Sequence, residues 1–240
     1  MQTLTPRIAL EIVAHEGIVR EAYRDSTGVW TWSVGVTNAS GHTVYPRYKD
    51  QPQPLEHCIG VFKWLLETRY LPAVLKAFGD HDPSEAELGA ALSFHWNTGA
   101  IGRATWMRLF VAGNVAGARA AIMDWAHPAS LAARRSREQA LFFDGTWSND
   151  GMALVYGVSK PSYRPAGAQR MSVGPAIEAV FAGGAQDAVA PVAPMPAPPV
   201  RNWFERLFGL GVRRTALSSA PDIRTDTPPP CASGFPRRLR

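Results

Sequence analysis

The first apolar positions of the chain recur with the spacing of an amphipathic helix. They share one side of such a helix: Ile8, Ile12 and His15, with Leu10 and Val13 beside them. Thr5 suits the N-cap and Pro6 the first helical position. Gly17 is a residue at which helices commonly stop. The pattern therefore predicts a helix that begins near Pro6 and ends at Glu16.

Short strand patterns follow between residues 18 and about 46, and glycine-containing turns separate them. Residues 29–34 alternate in the way a strand does, which puts Thr31 on the same face as Val29 and Ser33. The turns fall at Gly28, at Gly35 and around residues 38–41. This region therefore predicts a small antiparallel sheet.

Helical periodicity dominates the chain from Pro54 to Phe143. Asp82, Pro83, Ser84 and Glu85 form a helix start that contains an N-cap and a proline. The first predicted helix of this region begins at Pro54 and kinks or restarts at Pro72. The second runs from the Asp82–Glu85 start toward Asn97. Three more are predicted over residues 105–111, 115–126 and 130–143. Together with the small sheet they predict an α+β fold that is mainly α.

Composition changes after about residue 172. We expect one folded domain, the candidate catalytic domain, over residues 1–172. Residues 173–200 are expected to be a Pro/Ala-rich linker, because such a composition cannot build a core. Residues 201–214 gather apolar and basic side chains and predict a short amphipathic helix for a membrane surface or a protein partner. A segment that folds only against its own domain fits equally well. Residues 215–240 predict a disordered basic tail.

Two carboxyl groups near the start of the chain are candidates for acid–base chemistry. Glu16 is expected among the unpaired carbonyls of a helix end, next to Ile12 and Val13, and both surroundings favour a neutral acid. Asp25 begins a polar Asp-Ser-Thr-Gly turn, where its carboxylate stays ionised. Either residue alone is more often a surface charge or a turn former. The contrast between the two environments predicts an acid and base pair.

The spacing of Glu16-Gly17, Tyr23, Asp25, Gly28 and Thr31 resembles the signature of the phage-type lysozymes, glycoside hydrolase family 24. Two later segments match the same family in order, FHWNTG at residues 94–99 and LAARRSREQAL at residues 131–141. The resemblance covers roughly residues 5–150. The chain departs from the familiar pattern after Thr31: where the family has Thr-x-Gly-x-Gly-His, residues 31–36 read TWSVGV.

This resemblance implies a lysozyme-like fold with a small antiparallel sheet lobe, a larger helical lobe and a glycan cleft between them. It implies hydrolysis of the β-1,4 bond between N-acetylmuramic acid and N-acetylglucosamine in peptidoglycan. Glu16 is then the acid, and Asp25 and Thr31 stabilise charge and position water. Trp96 and Asn97 are candidate sugar contacts, although a core position is at least as good an interpretation of Trp96 and an equally good one of Asn97.

Two alternative functions remain open at this point. A lytic transglycosylase uses a single glutamate and leaves an anhydro product, and Asp25 and Thr31 at the family spacing argue against it. A non-catalytic wall-binding or virion structural protein fits the long tail, and the presence of both carboxyls argues against it. The arginines at 134, 135 and 137 fit either a solvated or ion-paired face or a contact to anionic stem peptides.

Composition narrows the partners and the compartment. The net charge is +5 and the pI about 9.5, which suits an anionic polymer such as a cell wall, whereas the spread of the basic residues argues against nucleic acid. Cys58 and Cys231 are expected to be reduced thiols, with no metal and no cofactor. Without a signal-peptide pattern or a membrane-length apolar run, we expect a monomer made in the bacterial cytoplasm. It reaches the wall through a holin-type pore or on a phage particle.

Overall fold

The computed structural model describes residues 3–183 of the chain. Helix α1 spans Pro6–Glu16 and begins where Thr5 Oγ1 accepts a hydrogen bond from the Ile8 amide at 3.2 Å. Gly17 ends the helix with a φ of +73°, a backbone conformation that favours glycine. The predicted start, length and end of this helix are confirmed, and Glu16 is its last residue.

Three strands follow α1 as an antiparallel meander. Strand β1 spans Ile18–Arg24, β2 spans Trp30–Ser33 and β3 spans Val36–Thr37. Tyr23 of β1 lies opposite Thr31 of β2, and Thr31 lies opposite Thr37 of β3. The small antiparallel sheet predicted for this region is confirmed.

The helical lobe is built around a central helix, α4. Its buried residues lie on all sides, as expected for a helix enclosed by others, and it packs against α1 and against the last helix of this lobe, Ala132–Asp144. A helix starts in the predicted segment, but its N-cap is Ser84, in a reciprocal arrangement with Glu87, and not Asp82, so the helix begins two residues later than Pro83 would place it. The helices of this lobe are α2 Leu55–Leu65, which continues through a π-helical turn at Leu66–Tyr70, α3 Leu71–Phe78, α4 Glu85–Thr98, α5 Thr105–Val111, α6 Val115–Ala121 and α7 Ala132–Asp144. The predicted α+β, mainly α fold class is confirmed.

A second hairpin enlarges the sheet beyond the sequence-based prediction. Strand β4 spans Met152–Ser159 and β5 spans Arg164–Ser172. β4 pairs with β1 in parallel, which gives a five-stranded sheet in the order β3-β2-β1-β4-β5. Most side chains of β5 are exposed, so this strand lacks the apolar alternation by which strands are recognised. The chain therefore returns, after the helical lobe, to the strand that follows Glu16.

One more helix packs onto the domain after the hairpin. Helix α8 spans Gly174–Phe181 and contacts α1 and α2, with Ile177 and Val180 buried. The predicted domain boundary at residue 172 is therefore too early, because the Pro/Ala composition begins only beyond this helix. The predicted helix at 201–214 and the basic tail at 215–240 lie outside the described residues. Between residues 3 and 183, no helix combines the length and the apolar character that crossing a bilayer requires.

Candidate active site

The three candidate catalytic side chains come from consecutive elements of the fold. Glu16 ends α1, Asp25 directly follows β1, and Thr31 lies within β2. All three are buried, with exposed fractions of 1%, 1% and 0%. Since β1 is the only element between Glu16 and Asp25, their relative placement depends on how β1 is fixed in the sheet.

Glu16 lies in an ionic network rather than in the apolar environment expected from Ile12 and Val13. Arg134 of α7 donates a hydrogen bond from Nη1 to Glu16 Oε1, and both side chains are buried. The other carboxylate oxygen, Oε2, is buried and has no hydrogen-bond partner among the described residues. The sequence-based expectation omitted Arg134, which is 118 residues away along the chain. The network leaves one oxygen fixed and the other oxygen without a hydrogen-bond partner among the described residues.

Arg134 is itself held by a buried glutamate and a serine. Its Nε donates to Glu138 Oε1 at 2.9 Å, and its Nη2 donates to the Ser93 carbonyl at 3.1 Å. Ser93 Oγ donates to the same Glu138 oxygen at 2.7 Å. Burial acts to raise the pKa of Glu138, but Arg135 and Arg134 outweigh it and hold that pKa below its usual value. Glu138 therefore serves as the anion that orients Arg134.

Asn97 and Trp96 have structural surroundings. Arg135 donates to Asn97 Oδ1 at 2.7 Å, within the same buried network. Trp96 packs edge-to-face on Phe62, with ring centroids 4.9 Å apart, and is 6% exposed. Of the two interpretations open for each residue, the structure favours the core for Trp96 and a buried hydrogen bond for Asn97. Two of the three arginines, Arg134 and Arg135, are buried and paired rather than solvated.

The Asp25 carboxylate is fixed by its own turn. Its Oδ1 accepts hydrogen bonds from the Thr27 amide at 2.9 Å, the Thr27 hydroxyl at 2.7 Å and the Val29 amide at 2.9 Å. Gly28 has a φ of +84°, and its amide donates to the Asp25 carbonyl at 2.9 Å. The polar turn predicted from the sequence is confirmed. Three donors on one oxygen set the direction of the carboxylate.

The end of the β4–β5 hairpin holds this turn from outside. Arg164 Nη1 donates to the Asp25 carbonyl at 2.7 Å, and the Arg24 amide donates to the Tyr163 carbonyl at 2.7 Å. The Tyr163 ring meets Trp30 edge-on, with centroids 5.1 Å apart. Sequence analysis missed these residues, since a Pro-Ser-Tyr-Arg stretch signals a turn but not what the turn contacts.

The ammonium group of Lys160 provides a further contact between the hairpin and the first part of the sheet. It forms ion pairs with Glu21 of β1 and with Asp50, which lies in the segment before α2. Tyr163 also donates to Asp50, at 3.1 Å. The hairpin end is thus attached both to β1, the strand that connects Glu16 to Asp25, and to the segment before α2.

Thr31 lies opposite Tyr23 in the β1–β2 register, as a residue in the middle of a strand. Its hydroxyl donates to the Val29 carbonyl at 3.2 Å. Because that bond uses the hydroxyl proton, the oxygen lone pairs are oriented away from Val29 and can accept a hydrogen bond.

A cavity of about 230 Å³ opens beside Glu16. The end of α1 forms one wall through Glu16 and Gly17, and α7 forms a second wall through Arg134 and Arg137. Strand β4 closes it with Leu154 and Tyr156. Neither Trp96 nor Asn97 lines it. In the part of the chain that the structure describes, no group of three or more His, Cys, Asp or Glu side chains could hold a metal ion.

Comparison with solved structures identifies the type of fold. A mutant of P22 lysozyme superposes with a TM-score of 0.50 and 22% sequence identity, covering 59% of this chain and 99% of that one. The endolysin from Escherichia coli O157:H7 phage FAHEc1 superposes with a TM-score of 0.51 and 21% identity, covering 62% of this chain and 98% of that one. No curated protein sequence matches the chain.

The family itself is identified by sequence. Residues 13–138 match the family model described as phage lysozyme, and the match includes Glu16, Asp25, Thr31 and Arg134. It ends before the β4–β5 hairpin and before α8. The chain therefore belongs to the phage lysozyme family of peptidoglycan-hydrolysing glycosidases.

Proposed function

We propose that the chain is a muramidase that hydrolyses the β-1,4 bond between N-acetylmuramic acid and N-acetylglucosamine in bacterial peptidoglycan. The observation that carries this proposal is the contrast between the two carboxyl groups. Glu16 lines a cavity and is held by the side chain of Arg134, whereas Asp25 Oδ1 accepts three hydrogen bonds from its own turn. Glycosidases need such a division between an acid and an anion.

In this proposal Glu16 protonates the glycosidic oxygen as the bond breaks. A general acid must present its proton within hydrogen-bond reach of the leaving oxygen. Arg134 fixes Oε1, so Oε2 is the oxygen that carries the proton to the substrate. Arg134 is thus a positioning residue for the acid.

Asp25 and Thr31 act on the opposite side of the bond. The Asp25 carboxylate stabilises the positive charge that develops on the sugar ring in the transition state. The Thr31 oxygen accepts a hydrogen bond from the attacking water, because its own proton is already given to the Val29 carbonyl. Asp25 then accepts a proton from that water as the new bond forms.

A second candidate function is non-catalytic wall binding. It is favoured by the burial of Asp25 and Thr31, which are 1% and 0% exposed. A hydrolase needs substrate and water to reach both side chains, so catalysis requires movement around the Asp25 turn. A wall-binding protein needs no such movement.

The test is digestion of purified peptidoglycan, with the ends of the fragments identified by mass. Wild type is compared with Glu16→Gln and with Glu56→Gln, a matched control because Glu56 is an exposed glutamate at the start of α2. The proposal predicts reducing muramic acid ends from wild type and Glu56→Gln, and none from Glu16→Gln. Anhydro ends would instead indicate a lytic transglycosylase. Cosedimentation with the wall but no cleavage by wild type would indicate the binding function.

A further inference from the structure

The β4–β5 hairpin contributes a wall to the Glu16 cavity although it lies beyond residue 138, where the family match ends. We propose that Leu154 and Tyr156 of this hairpin, together with Arg137 of α7, form a subsite for a muramoyl unit that bears an anionic stem peptide. The sugar ring packs on the two β4 side chains, and a peptide carboxylate binds Arg137. This inference rests on the proposed function, because it names the part of peptidoglycan that the same cleft recognises.

Strand pairing places the two β4 side chains next to Glu16. Val19 of β1 lies opposite Tyr156, two residues after Gly17. Leu154 and Tyr156 both line the cavity, although the pairing of β4 with β5 is irregular between Val155 and Gly157. The intervening Val155 points to the core and is 6% exposed. The face toward the cavity is therefore set by the register of a parallel strand pair.

The exposure of Leu154 is unusual for an apolar residue in the middle of a sheet. Its side chain is 41% exposed, whereas Ala153 and Val155 on either side are buried. Ligand cavities are lined mainly by apolar and aromatic side chains with a few polar groups that fix orientation. An aliphatic and an aromatic side chain on one face suit the apolar face of a sugar ring. The volume of about 230 Å³ suits one ring of a longer glycan held in an open groove.

Arg137 supplies a positive charge that the protein does not use internally. Arg134 and Arg135, on the same helix, are buried and paired with Glu138. Arg137 is exposed, lines the cavity, and forms no hydrogen bond or ion pair with any residue between 3 and 183. A guanidinium binds a carboxylate through two parallel hydrogen bonds. Stem peptides carry carboxylates, whereas a chain of N-acetylglucosamine carries none, so Arg137 is expected to distinguish the two.

The test measures binding by calorimetry in a Glu16→Gln background, so that no ligand is consumed. Two probes are compared, a peptidoglycan tetrasaccharide with its stem peptides and the uncharged chitotetraose. Arg137→Gln is expected to weaken binding of the peptide-bearing probe about tenfold, the effect of one charged hydrogen-bonded contact, and to leave chitotetraose binding unchanged. Tyr156→Ala and Leu154→Ser are expected to weaken both probes.

Two surface variants provide matched controls. Arg170→Gln removes an exposed arginine that pairs with Asp150 on the same hairpin, and Val111→Ser removes an exposed apolar side chain of α5. Neither should change the affinity for either probe. Circular dichroism would reveal whether Tyr156→Ala reduces the folded fraction. Because Leu154 is exposed, Leu154→Ser tests the contact between β4 and the sugar ring even in that case.

The subsite is overturned if Arg137→Gln affects both probes equally or neither, if folded Leu154→Ser binds both as the parent does, or if the parent binds neither. Failure of the proposed function gives a different result. In that case wild type leaves peptidoglycan uncleaved, while the dependence of binding on Arg137 and Leu154 persists. The two proposals can therefore fail independently.

Discussion

Arg134 of α7 pairs with the Glu16 carboxylate at the end of α1, and their side chains are 9% and 1% exposed. With Arg135 and Glu138 they form a buried cluster of two guanidinium and two carboxyl groups. Buried charges are tolerated when they are paired and hydrogen-bonded, but removal of one partner leaves an uncompensated charge. The contact therefore links stability to the position of the proposed acid.

Arg134→Gln is expected to lower the free energy of unfolding by about 3–5 kcal/mol, because Glu16 and Glu138 then share one cation. Urea unfolding measures the change. Arg119→Gln is the matched control, since Arg119 pairs with Asp144 while both are about half exposed, and it should lower the free energy of unfolding far less. Combining Arg134→Gln with Glu16→Gln should reduce the penalty. Equally small losses of unfolding free energy for Arg134→Gln and Arg119→Gln would contradict the prediction.

Arg164→Ala tests whether the hairpin end positions Asp25. The substitution removes the hydrogen bond to the Asp25 carbonyl. Small misplacements of a catalytic group can cost up to about 100-fold in rate, so kcat on peptidoglycan should fall clearly with little change in KM. Steady-state kinetics measure both constants.

Arg170→Ala, on the same strand, is the control for Arg164→Ala, because it removes only an exposed ion pair with Asp150. It should retain wild-type kinetics. A rise in KM alone for Arg164→Ala would show that this arginine binds substrate and does not position Asp25.

The difference between Glu16 and its partner Arg134 shows what the sequence could predict. The end of α1 was predictable because Thr5, Pro6 and Gly17 act within a few residues of it. The Asp25 turn was predictable for the same reason. The Glu16–Arg134 pair depends on how α7 packs against α1, and an arginine run gives no sign of which member faces inward.

The β4–β5 hairpin was missed for a different physical reason. β5 is an edge strand with few buried side chains, so its sequence, which contains Pro165 and Gly167, lacks an apolar pattern. Its place beside β4 is set by backbone pairing rather than by side-chain burial. Trp96 shows the converse case, because an aromatic residue at a helix end fits a sugar contact and a core position equally well from sequence.

The role of α8 can be tested by truncation. A chain ending at residue 187 keeps α8 and should unfold and digest peptidoglycan as the full chain does. A chain ending at residue 172 loses the buried side chains of Val173, Ile177 and Val180. Each buried aliphatic side chain contributes about 1.5–3 kcal/mol, so the shorter chain should be strongly destabilised.

A point variant separates the packing of α8 from chain length. Val180→Asp places a charge against α1 and α2 and should lower the thermal midpoint, whereas Glu178→Gln, an exposed position of the same helix, should not. If the chain ending at residue 172 were as stable as the full chain, the domain would not need α8 for its stability.

Glu11 should make stability dependent on pH in the acidic range. It is 1% exposed and accepts hydrogen bonds from the Asn149 amide at 3.0 Å and from Asn149 Nδ2 at 2.7 Å. Burial acts to raise its pKa, but the nearby His15 ring and hydrogen bonds from Ser148 and Asn149 outweigh it and lower the pKa of Glu11 to about 2. A pKa below the value of 4.5 for the free side chain means that the ionised form favours the folded state.

The stabilisation from Glu11 should be complete above pH 4.5 and should disappear as the pH falls through about 2. From the size of the shift it amounts to about 3 kcal/mol. Urea unfolding of wild type and Glu11→Gln at several pH values should give a stability difference that is largest above pH 4.5 and shrinks steadily below it. Glu56→Gln, at an exposed position, is the control for a glutamate-to-glutamine change elsewhere on the surface. A difference between wild type and Glu11→Gln that stays constant between pH 6 and pH 2 would show that the ionised carboxylate is not what attaches residues 148–149 to α1.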